Sequence, residues 1–409
     1  MLQVNAVWRT FSAAPHRMMF LFGAVQGLVA IAWWLIELLG RYTPGWLPPA
    51  AWVIPATWAH GFLMIYGFFP FFIFGFLMTV YPSWMNGTKI PPRRYVPAFL
   101  LLAGGVLLFY IGLLLGKLLL AAGVALMLGG WGIALYALLD VLITSRHPDK
   151  LHPRITTFSL AAGWLGMLAY LIWLVTGNGL FALFALKAGV WFFLLPIFFA
   201  VGHRMIPFFS SRVLDNYKIV RPVSALWVML ACSFGHGMLE LLGWNAWLWL
   251  VDLPLLAQTL YLSWRWQLRR SFEVRLLAVL HISFAWLSIA LALYALQSLA
   301  LLAGHPVLGF APLHALAVGL FASMVLGMAS RVTLGHSGAE LKADGVTWAL
   351  FLGFQAAGLA RIAGDLPLAG SAAGHFYLLS VVIWLACFLP WFFKYAPKYW
   401  RPRSDGQPG

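Results

Sequence analysis

Eleven histidines accompany eleven carboxylates in a chain of 409 residues of which only 9% are charged. His16, His60, His203, His236, His281, His314, His336 and His375 lie within or at the ends of long apolar runs. Neutral imidazole is a common ligand for haem iron, copper and other transition metals, and an ionisable group inside an apolar run is by default a functional candidate. The plainer reading of any single one is a hydrogen bond to a neighbouring helix. Glu240 follows His236 by four residues, which puts both on one helix face, as a ligand with its supporting carboxylate or as a step in a proton relay. Asp140, Lys187 and Asp252 read first as interhelical ion pairs. Cys232 and Cys387 read as buried structural thiols. A helical H-E-x-x-H for zinc and a Gly-rich loop opening a helix for a nucleotide are both missing from the sequence. Pro70 and Pro196 interrupt apolar runs, a feature of transporters as well as of ordinary kinks.

These histidines need elements that hold them inside a membrane. The chain is 63% apolar with a mean hydropathy of +0.88, a composition that excludes an ordinary soluble globule and a disordered chain alike. Continuous apolar runs of about 20 residues point to helices rather than to a barrel. We place spans near 18–39, 57–81, 96–116, 118–142, 157–176, 182–202, 223–242, 245–262, 276–300, 310–330, 345–362 and 372–394, an all-α, polytopic transmembrane bundle of twelve helices forming a single domain over residues 1–409. With both termini cytoplasmic, 22 of the 26 Lys and Arg fall in inner segments, as cytoplasmic loops demand. The net charge of +15 therefore sets orientation rather than gripping nucleic acid. No secretory signal opens the chain, whose first apolar run is long enough to remain as a span. No internal repeat stands out, although His60 to Gly75 and His314 to Gly327 echo one another faintly.

The same sidedness sorts the imidazoles into two tiers. His60, His236, His314 and His375 fall near the outer face, and His16, His203, His281 and His336 near the inner one. Thirty-two Phe, 22 Trp and 39 Gly could line a haem slot, though they are also ordinary membrane packing residues.

Several motifs now come together. P-H-R at 15–17 precedes the first span, and W-A-H-G-F-L-M-I-Y-G-F-F-P-F-F-I-F-G-F-L-M-T-V-Y-P-S-W occupies 58–84. R-M-I-P-F-F follows at 204–209, H-A-L-A-V-G at 314–319 and G-M-A-S-R-V-T-L-G-H-S-G at 327–338. In this order the set resembles the NnrS family of twelve-span membrane proteins. The resemblance implies haem, in some members copper as well, and a role in nitric oxide metabolism and protection against nitrosative stress. Carried over residue by residue, it makes His16, His60, His314 and His336 the leading ligand candidates, with His203, His236 and His281 next. Arg331 and Arg17, beside those ligands, suit haem propionates because a guanidinium matches a carboxylate fork. The chain departs from the pattern in span two: relatives read roughly H-x-H-E-M where this chain has His60, Gly61, Phe62, Leu63 and Met64, which weakens the implied copper.

The resemblance thus implies a bacterial inner-membrane, haem b protein that binds, detoxifies or reduces nitric oxide, with an oxidoreductase similar to nitric oxide reductase as the sharper form. Its partners would be nitric oxide, membrane lipid and a quinol or other electron donor, with no nucleic acid. Two alternatives stand beside it: a quinol-linked di-haem electron-transfer protein, and a transporter of a small or metal-related solute using the same histidines.

Overall fold

A computed structural model describes residues 2–43, 45 and 51–406, with side chains from residue 7 onward. Among them no strand occurs, and long helices carry the fold. We number these α1 Pro15–Tyr42, α2 Ala56–Trp84, α3 Pro92–Leu115, α4 Lys117–Thr144, α5 Leu151–Thr176, α6 Gly179–Val213, α7 Val223–Leu241, α8 Trp249–Arg265, α9 Arg275–Leu302, α10 Ala311–His336, α11 Gly345–Ala363 and α12 Ala373–Tyr395. Among the described residues eleven helices are long and apolar enough to cross a membrane, and α8 falls outside that number. Its 17 residues extend about 25 Å, short of a hydrocarbon core of about 30 Å. It also carries Asp252 in its first turn and Arg265 in its last. Eleven of the twelve expected spans thus coincide with helices of this length and composition, and α8 occupies the place of the span expected at 245–262 as a shorter helix with an acidic first turn.

Local chemistry sets the helix ends. Proline opens α1 and α3, where its missing N–H costs nothing. Asn178 and Asp344 cap α6 and α11 by accepting backbone N–H groups at 3.1 and 2.9 Å. Gly177, at φ +75°, supplies the left-handed turn that ends α5. The tightest pairing joins α3 and α4, where a Cβ at Gly105 would stand 2.6 Å from the Gly123 carbonyl oxygen. Small residues at such crossings let two membrane helices approach backbone to backbone.

The packing contains a repeat that the sequence conceals. Within three successive four-helix units, the first two helices pack together (α1 with α2, α5 with α6, α9 with α10), as do the last two (α3 with α4, α7 with α8, α11 with α12). The units join in the same manner, α4 to α5 and α8 to α9, and α12 closes the ring on α1. The second helix of every unit contains a π-helical turn, beginning at Leu63, Gly189 and Ala315, 126 residues apart in both steps. In α2 and α6 a proline, Pro70 or Pro196, follows this turn. Its ring would clash with the carbonyl four residues earlier in a regular helix, and the wider turn relieves that clash. In α10 the same register holds Ala322, and the π turn runs for eight residues. The second helix of each unit also leans on the first helix of the next. Tyr81 of α2 bonds the Pro153 carbonyl, Thr156 and Thr157 of α5. Ser210 of α6 meets His281 of α9, and His336 of α10 meets His16 of α1. Ser210 and His336 are themselves 126 residues apart. Of the faint echo in the sequence, Gly75 and Gly327 are 252 residues apart and share the register of their π turns, whereas His60 and His314 are 254 apart and fall out of that register by two.

Candidate functional site

The three π-bearing helices surround the middle of the ring, and two of them bring a histidine to the start of the turn. His314 immediately precedes Ala315, and His60 stands three residues before Leu63. π turns are frequent at functional sites because the extra residue re-aims neighbouring side chains. The Nδ1 of His314 lies 3.0 Å from the Phe310 carbonyl oxygen. A carbonyl only accepts, so this nitrogen carries the proton and Nε2 keeps its lone pair, as in an imidazole held ready to ligate. His60 stacks on Trp34, with centroids 4.3 Å apart and planes 16° from parallel. Its Nδ1 is buried without a hydrogen-bond partner among the described residues. His60 and His314 lie within electrostatic range of each other and of Arg361. Two ion pairs flank them. Arg361 donates to Asp365 at 2.7 Å, and Arg41 donates to Glu37 at 2.6 Å, whose other oxygen accepts from Trp52.

At the opposite end His16 and His336 are in ring contact, their centroids 4.6 Å apart and their planes at 39°. His16 Nδ1 approaches Thr79 Oγ1 at 3.4 Å. The hydroxyl of Thr79 donates to the Gly75 carbonyl, so it offers His16 an acceptor. Arg17 is buried and donates to the carbonyls of Tyr399 and Arg401 at 3.3 and 3.0 Å, fastening the C-terminal segment to α1. Arg331 is buried with its guanidinium 3.9 Å from the centroid of the Phe209 ring, a cation–π contact.

The remaining candidates separate. His203 pairs with His152, which sequence reasoning passed over, Nδ1 to Nε2 at 3.0 Å. His203 Nε2 donates to the Pro222 carbonyl at 3.2 Å, so its Nδ1 accepts from His152, and His152 Nδ1 is left with a buried lone pair lacking a partner among the described residues. The L-H-P-R sequence at 151–154 was the available signal, a histidine opening the fifth run as His16 opens the first. His281 faces Ser210 at 3.1 Å. His236 sits between Asp252 and Glu240, and His375 is exposed. Lys187 pairs with Glu240 at 2.7 Å and Arg94 with Asp140 at 2.5 Å, as the ion-pair reading anticipates.

The donor chemistry decides which groups these sites suit. His314, anchored through Nδ1, and His60, with an unpartnered buried nitrogen, are imidazoles that would hold a haem iron. Among the described residues no three His, Cys, Asp or Glu side chains assemble to hold a metal ion, so the residues present do not form a three-donor copper site. Between the tiers, α1, α2, α6 and α10 enclose a cavity of about 50 Å³ lined by apolar side chains including Phe20, Phe72, Phe198, Met205, Met324 and Met328.

A ring of apolar helices with histidines near the helix ends defines the class, an all-α polytopic membrane protein. The chain belongs to the NnrS family, whose model, described as NnrS protein, matches residues 10–403. No curated protein matches it.

Proposed function

We propose that this protein holds haem b at the end of the bundle that carries His60 and His314, and that it binds, detoxifies or reduces nitric oxide there. The observation that carries the reading is the tautomer of His314: its Nδ1–H is committed to the Phe310 carbonyl, which leaves Nε2 as the donor and fixes the ring. Stacking on Trp34 holds the plane of His60 in the same way. Membership of the NnrS family supports the nitric oxide role. When bound, haem would supply an iron coordination position for a diatomic gas. Arg361 and Arg41 at this end are each held by a carboxylate, Asp365 and Glu37, whereas Arg17 and Arg331 would serve propionates of a group at the His16 and His336 end. The small pocket, lined by apolar side chains, suits an apolar gas dissolved in lipid.

One observation favours a second reading. The imidazole pair of His16 and His336 gives the bundle a second potential ligand pair, as a di-haem electron carrier fed by a quinol would require. The distribution of 22 of 26 basic residues supports an inner-membrane protein with both termini in the cytoplasm. The test is nitric oxide consumption by the reduced, purified protein at an electrode. Consumption abolished by His314→Ala supports the enzyme. Stoichiometric binding without turnover assigns a binder or sensor, and neither activity in folded, haem-loaded protein refutes the nitric oxide role.

A further inference from the structure

The haem reading leaves unused the ionic cluster where α6, α7 and α8 meet. Glu240 accepts from Lys187 Nζ at 2.7 Å through one oxygen and from Trp191 Nε1 at 2.8 Å through the other. One turn earlier on the same face, the His236 ring lies flat on the Trp191 indole, with centroids 3.4 Å apart. The Tyr294 ring meets it edge-on at 4.7 Å. His236 Nδ1 stands 2.6 Å from Asp252 Oδ1, while Nε2 faces Glu240 Oε1 across 3.9 Å. Nε2 and Asp252 Oδ2 are both buried without hydrogen-bond partners among the described residues. The ring therefore bridges two carboxylates by its opposite edges.

Charge arithmetic gives this geometry a consequence. The titratable groups facing the ring are Lys187 from α6, Asp252 from α8 and Tyr294 from α9, with Glu240 and Cys232 one turn away on α7 itself. With Lys187 charged, both carboxylates ionised and the imidazole neutral, the cluster holds one uncompensated negative charge inside the bundle, which is costly. One proton on the ring removes it. The Lys187 side chain is 32% exposed and that of Glu240 7%, so the accessible edge of the cluster is the Lys187 side. The cluster also belongs to one unit alone, since the residues two before the other π turns, the register of Lys187, are Gly61 and Leu313.

We propose that His236 is a proton-holding site, storing one exchangeable proton between Asp252 and Glu240. On loading, an O–H bond of hydronium breaks at the Lys187 side, leaving water, and its proton passes through the Glu240 carboxylate to form the Nε2–H bond. On release that bond breaks, the proton returns by the same route, and no electrons move.

The test is nitrogen NMR of the full chain labelled with ¹⁵N-histidine, in lipid, with the His236 resonances assigned by their loss in His236→Gln. Near neutral pH the wild type shows His236 with both ring nitrogens protonated and exchanging with solvent. Asp252→Asn converts it to the neutral form, and Glu240→Gln shifts its deprotonation to lower pH. A neutral His236 in the wild type near neutral pH overturns the proposal without either variant. So does an Asp252→Asn protein that retains the doubly protonated ring, as a purely structural clamp would allow. The measurement reads the His236 ring itself in the full chain as purified, so its outcome is independent of the haem assignment.

Discussion

The Tyr66 hydroxyl offers a quantitative test of how the central helices are locked beside His60. Tyr66 is fully buried in the π turn of α2, and its hydroxyl donates to the Ala185 carbonyl of α6 at 2.7 Å. It reaches that acceptor only because two neighbours lack side chains: a Cβ at Gly166 of α5 would stand 2.2 Å from the oxygen, and one at Gly189 of α6 2.9 Å. In Gly166→Ala the oxygen must retreat by about 1 Å to regain ordinary contact, which breaks the hydrogen bond. Overpacking costs about 1–3 kcal/mol, and the lost bond about 1 kcal/mol. Replacing a helical glycine by alanine returns about 0.5–1 kcal/mol, for a net loss of about 1–3 kcal/mol. Tyr66→Phe alone should cost about 1 kcal/mol, since Ala185 still accepts from the Gly189 N–H. In the double variant the methyl group faces the ring carbon at 3.3 Å instead of the oxygen. Its stability should therefore return close to that of Tyr66→Phe. Unfolding free energies in mixed micelles, followed by far-ultraviolet circular dichroism, measure the cycle. Losses that simply add, within about 0.5 kcal/mol, would refute the packing argument.

Gly104 faces open space, so Gly104→Ala should be neutral or slightly stabilising in the same unfolding assay, the opposite of Gly166→Ala. Asp344→Ala should cost about 1 kcal/mol, the worth of a helix cap, because its side chain accepts from the Thr347 N–H. The hydrogen bond from Lys394 is the largest cause holding the Asp344 carboxyl down at about 2. A depressed carboxyl contributes stability above its ordinary value near pH 4 and loses it as pH falls toward about 2, so the wild-type advantage over Asp344→Ala should shrink across that window in a thermal melt. Arg17→Ala should release the segment around Tyr399 and Arg401, whose carbonyls both accept from Arg17 Nη1, seen as faster amide hydrogen exchange there.

Much of this architecture is legible in the sequence because apolar runs and loop charges are long-range averages. Most helices lie within a few residues of the expected spans, and α8, the shortest of the twelve, is bracketed by Asp252 and Arg265. The threefold ring was not legible, since its signature is helix register rather than residue identity: Gly61, Lys187 and Leu313 share one place in the three units. The π turns were hidden for a related reason. Pro70 and Pro196 mark two of them, but Ala322 gives no signal for the third. Among the site residues, His16 and His336 proved neighbours from opposite ends of the sequence, an outcome that depends on α12 closing against α1. His152 was missed because a polar loop precedes it, and the Asp252 partner of His236 comes from a different helix, which no spacing rule connects.

The central claim, that His314 with its anchored Nδ1 is a haem ligand, is tested most directly by the absorption spectrum and pyridine haemochrome of the purified protein beside its His314→Ala variant. The account predicts b-type haem in the wild type and its loss or a shifted Soret band in His314→Ala, with the exposed His375→Ala variant unchanged. A folded wild type without haem, or a His314→Ala variant whose spectrum and haem content equal those of the wild type, would contradict it.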